Sequence, residues 1–156
     1  MKILLLGDGA VGKTSLVHRF VEGQFKDRYK ATIGVDIFSK EAGGKELQIW
    51  DLSGQAHFTA VRSKFYAKAE AGLLCFDLTS KKSFDNLNSW IEEVKNSVGT
   101  EIPMVIIGNK MDLTDLIDVT DDEINTYAEN KGFKFMKTSA KDGTNVEEAF
   151  TAVASL

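Results

Sequence analysis

The sequence predicts an α/β domain built on a mostly parallel, six-stranded sheet with helices on both faces, and three observations carry that prediction. Apolar runs of strand length alternate with longer segments of helical period, the arrangement that a parallel sheet with crossover helices requires. Two of the runs are separated by little more than a Gly43-Gly44 turn, which reads as a hairpin and adds one antiparallel edge strand. A glycine-rich turn joins the first run directly to a helical segment.

In chain order, the first strand is Lys2 to Leu6, and the helical segment after the glycine-rich turn is Ser15 to Val21. The hairpin follows with strands Val35 to Lys40 and Glu46 to Asp51. Buried strands are read at Gly72 to Asp77, Met104 to Gly108 and Phe133 to Thr138, with Pro103 ending the loop before the second of these. Thr120 with Glu123, and Thr144 with Glu147, match capping boxes, which place helix starts there. Asp115, Asp118, Asp121 and Asp122 lack the alternating ligand spacing and central glycine of a calcium loop, so a helix start is the better reading.

With 156 residues and no low-complexity run or internal repeat, residues 1–156 are expected to form one domain. An apolar fraction of 43% and a charged fraction of 27% are those of an ordinary soluble protein. The net charge of −4, with no run of Lys or Arg, argues against nucleic acid as a partner. The lone Cys75 sits in an apolar run, reads as a buried inert thiol and cannot form an internal disulfide. No window reaches transmembrane length and the apolar start is too short for a signal-peptide core, so the expected compartment is the cytoplasm.

Gly7-Asp8-Gly9-Ala10-Val11-Gly12-Lys13-Thr14 is a phosphate loop in its strand-to-helix setting. Such a loop curls so that amides from Gly9, Ala10, Val11, Gly12 and the helix start point at phosphate oxygens. Lys13 would neutralise β- and γ-phosphate charge, the Thr14 hydroxyl would coordinate Mg²⁺, and Ser15 would reach the α-phosphate. The loop by itself leaves ATPases, kinases and GTPases open.

Base choice is read from Asn109-Lys110-Met111-Asp112 at the end of a buried strand. A carboxylate at Asp112 can accept from both N1–H and the exocyclic amine of guanine, and adenine offers neither donor at that edge. The Lys110 stem would cover the purine face, and Asn109 would tie this loop to the phosphate loop.

With Ala31-Thr32-Ile33-Gly34-Val35-Asp36, Trp50-Asp51-Leu52-Ser53-Gly54-Gln55 and Thr138-Ser139-Ala140-Lys141 also in order, the sequence resembles the Ras superfamily of small GTPases, and within it the Rab branch. The resemblance spans nearly the whole chain and implies a P-loop NTPase fold, the G domain. It implies a switch that binds GTP or GDP with Mg²⁺, hydrolyses GTP slowly and controls effectors through two switch loops, with membrane traffic as the suggested process. Catalytic roles would fall to Gln55, which orients the attacking water, and to Lys13 and Thr32. Thr32 would also join Thr14 and Asp51 at the metal, Asp51 through a bound water. Gly54 would bond the γ-phosphate, Phe25 would stack against guanine, and Tyr29 would close over the phosphates. The Ala140 amide would donate to guanine O6, supported by Ser139 and Lys141. Effector, exchange-factor and GTPase-activating proteins are the implied partners of a monomer.

Several positions depart from the Rab pattern. The hairpin between the switches is a few residues shorter, and Ile37 stands where an aromatic usually packs with Trp50 and Phe65, leaving its neighbour Phe38 to substitute or to face away. Leu52-Ser53 replaces the common Thr-Ala, and Ala56 replaces the glutamate after the glutamine. No arginine holds an obvious finger position in cis, so a partner would supply it. No cysteine for prenylation stands near Leu156, which leaves attachment to the cytosolic face of a membrane open. His57 reads as a loop histidine rather than a general base, and His18 lies within the first helix. The competing readings are a docking module that holds nucleotide with negligible hydrolysis, which Gln55 and Thr32 argue against, and a nucleoside or nucleotide kinase, which would need an arginine-rich lid.

Overall fold

The computed structural model describes residues 1–23, 35–52, 54 and 59–156. Six strands, β1 (Lys2–Leu6), β2 (Val35–Ala42), β3 (Lys45–Leu52), β4 (Ala71–Asp77), β5 (Met104–Asn109) and β6 (Lys134–Lys137), form one sheet in the order β2-β3-β1-β4-β5-β6. Only β2 and β3 pair antiparallel. Among the described residues the helices are α1 (Lys13–Glu22), α2 (Thr59–Arg62), α3 (Lys81–Asp85), α4 (Leu87–Val98), α5 (Asp121–Lys131) and α6 (Val146–Ala154).

The near-continuous apolar character of β1 follows from burial on both faces. Ile3 and Leu5 meet Leu16, Val17 and Phe20 of α1 and Val146, Ala149 and Phe150 of α6. Leu4 and Leu6 point the other way, into a cluster with Leu87, Trp90, Ile91 and Val94 of α4 and Ile124 and Ala128 of α5. Phe20 stacks on Phe150 with ring centroids 4.0 Å apart, which fastens α1 to α6 on the first face. Each large apolar side chain buried in this way contributes about 1.5–3 kcal/mol.

The β2–β3 hairpin is longer than the sequence reading. Ala42 pairs with Lys45 across Gly43 and Gly44, whose φ angles of 58° and 77° are those of a two-residue turn that only glycine-like residues adopt without strain. Phe38 faces α1 and meets the His18 ring edge-on at 5.3 Å, so it does not replace the missing aromatic at position 37. Ile37 stands on the opposite face of β2, exposed, in register with Trp50, which packs against Phe65.

The capping box at Thr120 is present: its hydroxyl accepts from the Glu123 amide and the Glu123 carboxylate accepts from the Thr120 amide. The box expected at Thr144 is not. The Thr144 amide and hydroxyl both donate to Asp142 Oδ1, and the chain enters α6 at Asn145, in a left-handed conformation without a side-chain cap. A local aspartate turn has captured the threonine that would have capped the helix. Among the described residues no helix is long and apolar enough to cross a membrane.

Candidate nucleotide site

The site forms at the carboxyl ends of the parallel strands, where β1 sits between β3 and β4 and the crossovers diverge to opposite faces. Gly7 to Gly12 lead from β1 into α1. Gly12 takes the helix N-cap position with φ 96°, and a Cβ there would lie 2.3 Å from Asn109 Nδ2. Glycine is thus required twice over, by the left-handed backbone and by the close approach of the neighbouring loop. Ala10 is also left-handed, φ 66°, although it has a Cβ.

Lys13, only 7% exposed, turns its ammonium back along the loop, donating to the Gly7 carbonyl at 2.7 Å and the Asp8 carbonyl at 3.1 Å. Burial lowers its pKa, opposed by the charge of Asp51. Thr14 Oγ1 donates to Asp51 Oδ2 at 2.7 Å. Asp51 is fully buried at the end of β3, and burial raises its pKa against the pull of Lys13 and the Thr14 hydroxyl. Among the described residues its Oδ1 has no hydrogen-bond partner. A buried carboxyl oxygen unpartnered among the described residues, beside a hydroxyl, is a donor set suited to a hard divalent cation. Gly54 lies against the same loop: a Cβ on it would come within 2.4 Å of the Asp8 carbonyl carbon and the Gly9 nitrogen.

The base-side loops are braced by side-chain amide and hydroxyl bonds. Asn109, 2% exposed, donates from Nδ2 to the Val11 carbonyl at 3.1 Å. Its Oδ1 accepts from Thr138 Oγ1 at 3.0 Å and from the Ala140 amide at 3.3 Å, so one side chain bridges the phosphate loop and both loops at the ends of β5 and β6. Ser139 Oγ donates to Asp112 Oδ1 at 2.9 Å and accepts from the Asp142 amide, which orients the Asp112 carboxylate. Lys110, at φ 69°, reaches back over the phosphate loop to the Ala10 carbonyl and to Asp77 Oδ2, 2.9 and 2.8 Å away. Lys141 is exposed, and its carbonyl and that of Ala140 accept from the Arg19 guanidinium of α1. Ser15 is half-buried in the first turn of α1, and Gly9 is exposed at the tip of the phosphate loop.

The structure thus brings together Gly9 to Ser15, Asp51, Gly54, Asn109, Lys110, Asp112 and Ser139 to Lys141. The predicted positions Phe25, Tyr29, Thr32 and Gln55, along with Ser53 and His57, lie outside the described residues. Three supporting residues went unread in the sequence. Asp77 closes β4 and pairs with Lys110, and its place at the end of a buried strand was the available signal. Arg19 joins α1 to the loop after β6, and Asp8 ties the phosphate loop to α4. Neither contact leaves a local trace, because the partners are far apart in sequence.

The Ras family model matches residues 2–156. The chain belongs to the Ras family. As a Ras-family protein it is a GTPase that binds GTP and GDP. Its relatives in this family include the Ras-related protein Rab-8B of Homo sapiens, 41% identical over 98% of the chain and 76% of the relative. The Ras-related protein RABG3f of Arabidopsis thaliana is 42% identical over 99% of the chain and 80% of that protein. The GTP-binding protein YPTM2 of Zea mays is 39% identical over 99% and 78%.

Proposed function

We propose that this Ras-family GTPase works as a Mg²⁺-dependent switch, with residues 1–156 as one G domain whose loops around Thr32 and Gln55 order on the γ-phosphate and relax once it is lost. The observation that carries this reading is the pairing of Thr14 with the buried Asp51, one oxygen of which is unpartnered among the described residues, beside the buried Lys13. Thr14, Asp51 and Thr32 would hold the metal, whose contribution is to neutralise charge on the β- and γ-oxygens. On entry of the nucleotide, the Lys13 ammonium exchanges the Gly7 and Asp8 carbonyls for phosphate oxygens, a stronger partner for a cation taken out of water. Asp112, oriented by Ser139, accepts from guanine, with the Lys110 stem, Phe25, Ala140 and Lys141 completing the base pocket. Gly54 donates its amide to the γ-phosphate, Tyr29 closes over it, and Gln55 orients the attacking water.

Phosphoryl transfer asks for little covalent chemistry from the protein, so the rate depends on positioning and on positive charge near the γ-phosphoryl group. Arg19 is engaged with loop carbonyls, and Arg62 is engaged with Glu93. With both described arginines engaged and Arg28 outside the described residues, the reading expects slow intrinsic hydrolysis, about 10⁻⁴ to 10⁻² s⁻¹, raised by an activating protein that adds an arginine. The same reading expects a monomeric cytoplasmic protein.

The test is titration with fluorescent GDP, GTP and ATP in Mg²⁺, followed by phosphate release from bound GTP. Guanine binding abolished in Asp112→Asn, and turnover abolished in Gln55→Leu with binding retained, are the expected results. Equal affinity for adenine nucleotides would overturn the reading.

A further inference from the structure

A buried polar chain runs from the phosphate loop to α2 on the face of the sheet covered by α4. Asp8, in the phosphate loop, accepts from two α3–α4 donors: Asn86 Nδ2 to Oδ2 at 2.7 Å and Trp90 Nε1 to Oδ1 at 2.8 Å. The other side of the Trp90 indole is covered by the Arg62 guanidinium, whose carbon lies 4.3 Å from the ring centroid. Arg62 in turn makes a two-point pair with Glu93, Nε to Oε2 and Nη2 to Oε1, both 2.8 Å, and Tyr66 donates its hydroxyl to Glu93 Oε2. Arg62, Trp90 and Tyr66 are 4%, 5% and 0% exposed. Burial, reinforced by the Glu93 carboxylate, raises the Tyr66 pKa, so its proton stays in place at neutral pH.

We propose that Arg62 is a positioning residue for GTP hydrolysis, acting through Trp90 and Asp8 on the phosphate loop. The inference rests on the hydrolytic reading above and adds a residue to it. Gly54 touches the phosphate loop directly at Asp8 and Gly9, and Arg62 is locked to the same Asp8 by way of Trp90. Gly54 and Arg62 are therefore both referenced to one loop.

Stability alone is a poor explanation for this arrangement. A buried ion pair recovers little of its desolvation cost, and an apolar residue of similar volume packs a core as well or better. What the pair supplies is direction. A planar guanidinium held at two points by Glu93 and stacked on Trp90 has one orientation, and so does the helix that carries it. Asn86 and Trp90 use both carboxylate oxygens of Asp8, which leaves the phosphate loop one way to sit on α4.

Single-turnover hydrolysis, release of GDP and release of a non-hydrolysable GTP analogue are to be measured in Arg62→Ala, in Trp90→Phe, which keeps a ring under Arg62 but removes the donor to Asp8, and in the double variant. Each single change is expected to slow hydrolysis about tenfold and speed analogue release, with GDP release within about twofold of the parent. The double variant is expected to be no slower than the worse single, because both cut the same chain. Losses that multiply, or a parent-like hydrolysis rate with only a lower Tm, would overturn the proposal. If Arg62→Ala fails to fold, Glu93→Gln preserves the shape of the cluster and is expected to slow hydrolysis about threefold; an unchanged rate there overturns it equally. A parent protein that binds GTP without turning it over would break the hydrolytic reading alone. Analogue release against GDP release would then decide the role of Arg62.

Discussion

Around Asn109 the polar side chains are matched to partners: its amide bridges Val11, Thr138 and Ala140, and Ser139 holds Asp112. Around Lys13 the same fold leaves a dehydrated ammonium capped by two loop carbonyls, next to a fully buried Asp51 with an oxygen unpartnered among the described residues. The base side is a finished bracket that resembles a protein interior. The phosphate side holds buried charged groups that the described residues satisfy only in part, and an arriving charge of the right sign would offset their desolvation cost. The two sides of the candidate site thus differ in how fully the chain itself satisfies their polar groups.

That contrast is open to breaking. Lys13→Ala is expected to weaken GTP binding by about 3–5 kcal/mol, seen by titration with fluorescent nucleotide, and to cost the unliganded protein clearly less than that in urea. If unliganded stability falls as far as affinity does, the phosphate side is structural after all. Asn109→Ala should do the reverse in the unliganded protein. It strands the Val11 carbonyl and the Thr138 hydroxyl, at about 2–3 kcal/mol of unfolding free energy in urea, whether or not nucleotide binding is also weakened.

Alkaline pH sharpens the comparison from beneath the phosphate loop. Burial pushes the Cys75 thiol up to about 12 from an ordinary value of 9.0. The folded chain keeps that proton after the unfolded chain has lost it, so the contribution is full below pH 9 and is lost as pH rises toward 12. The loss is about 1.4 kcal/mol one unit above the unfolded value. Urea melts between pH 8 and 10.5 should show it, Cys75→Ala should flatten the slope, and a thiol reagent at pH 8 should react only after unfolding. The smallest effect lies far from the nucleotide. Thr120→Ala removes a working capping box, at about 1 kcal/mol of stability with no change in affinity, and Thr144→Ala costs less because that hydroxyl caps no helix. Equal losses at the two sites would mean that α6 depends on Thr144 in a way its hydrogen bonds do not reveal.

The strands were legible because burial on both faces leaves an unbroken apolar run within β1, β4 and β5, and their ends were found to within a residue. The shorter β6 and the longer hairpin were less so. The ends of β2 and β3 are set by pairing across Gly43-Gly44, not by apolar content, and β6 stops at Lys137, just before Thr138 bonds Asn109. The readings of the phosphate loop and of Asn109 to Asp112 rest on particular residue types within a few positions, a constraint that chemistry imposes locally.

What the sequence determined by itself was the family, with it the kind of ligand, and the order of the strands' appearance. What only the tertiary structure decided was how the residues of the candidate site are held. Asp77 against Lys110, Arg19 beneath the Ala140 loop, and the line from Asp8 through Trp90 to Arg62 and Glu93 all join positions far apart in the chain. A single hydrogen bond or stacking contact of this kind constrains one pair of side chains and leaves no period or spacing around either. Such pairs become visible only after the hydrophobic faces of the sheet have brought α4, α1 and the loops to the same edge.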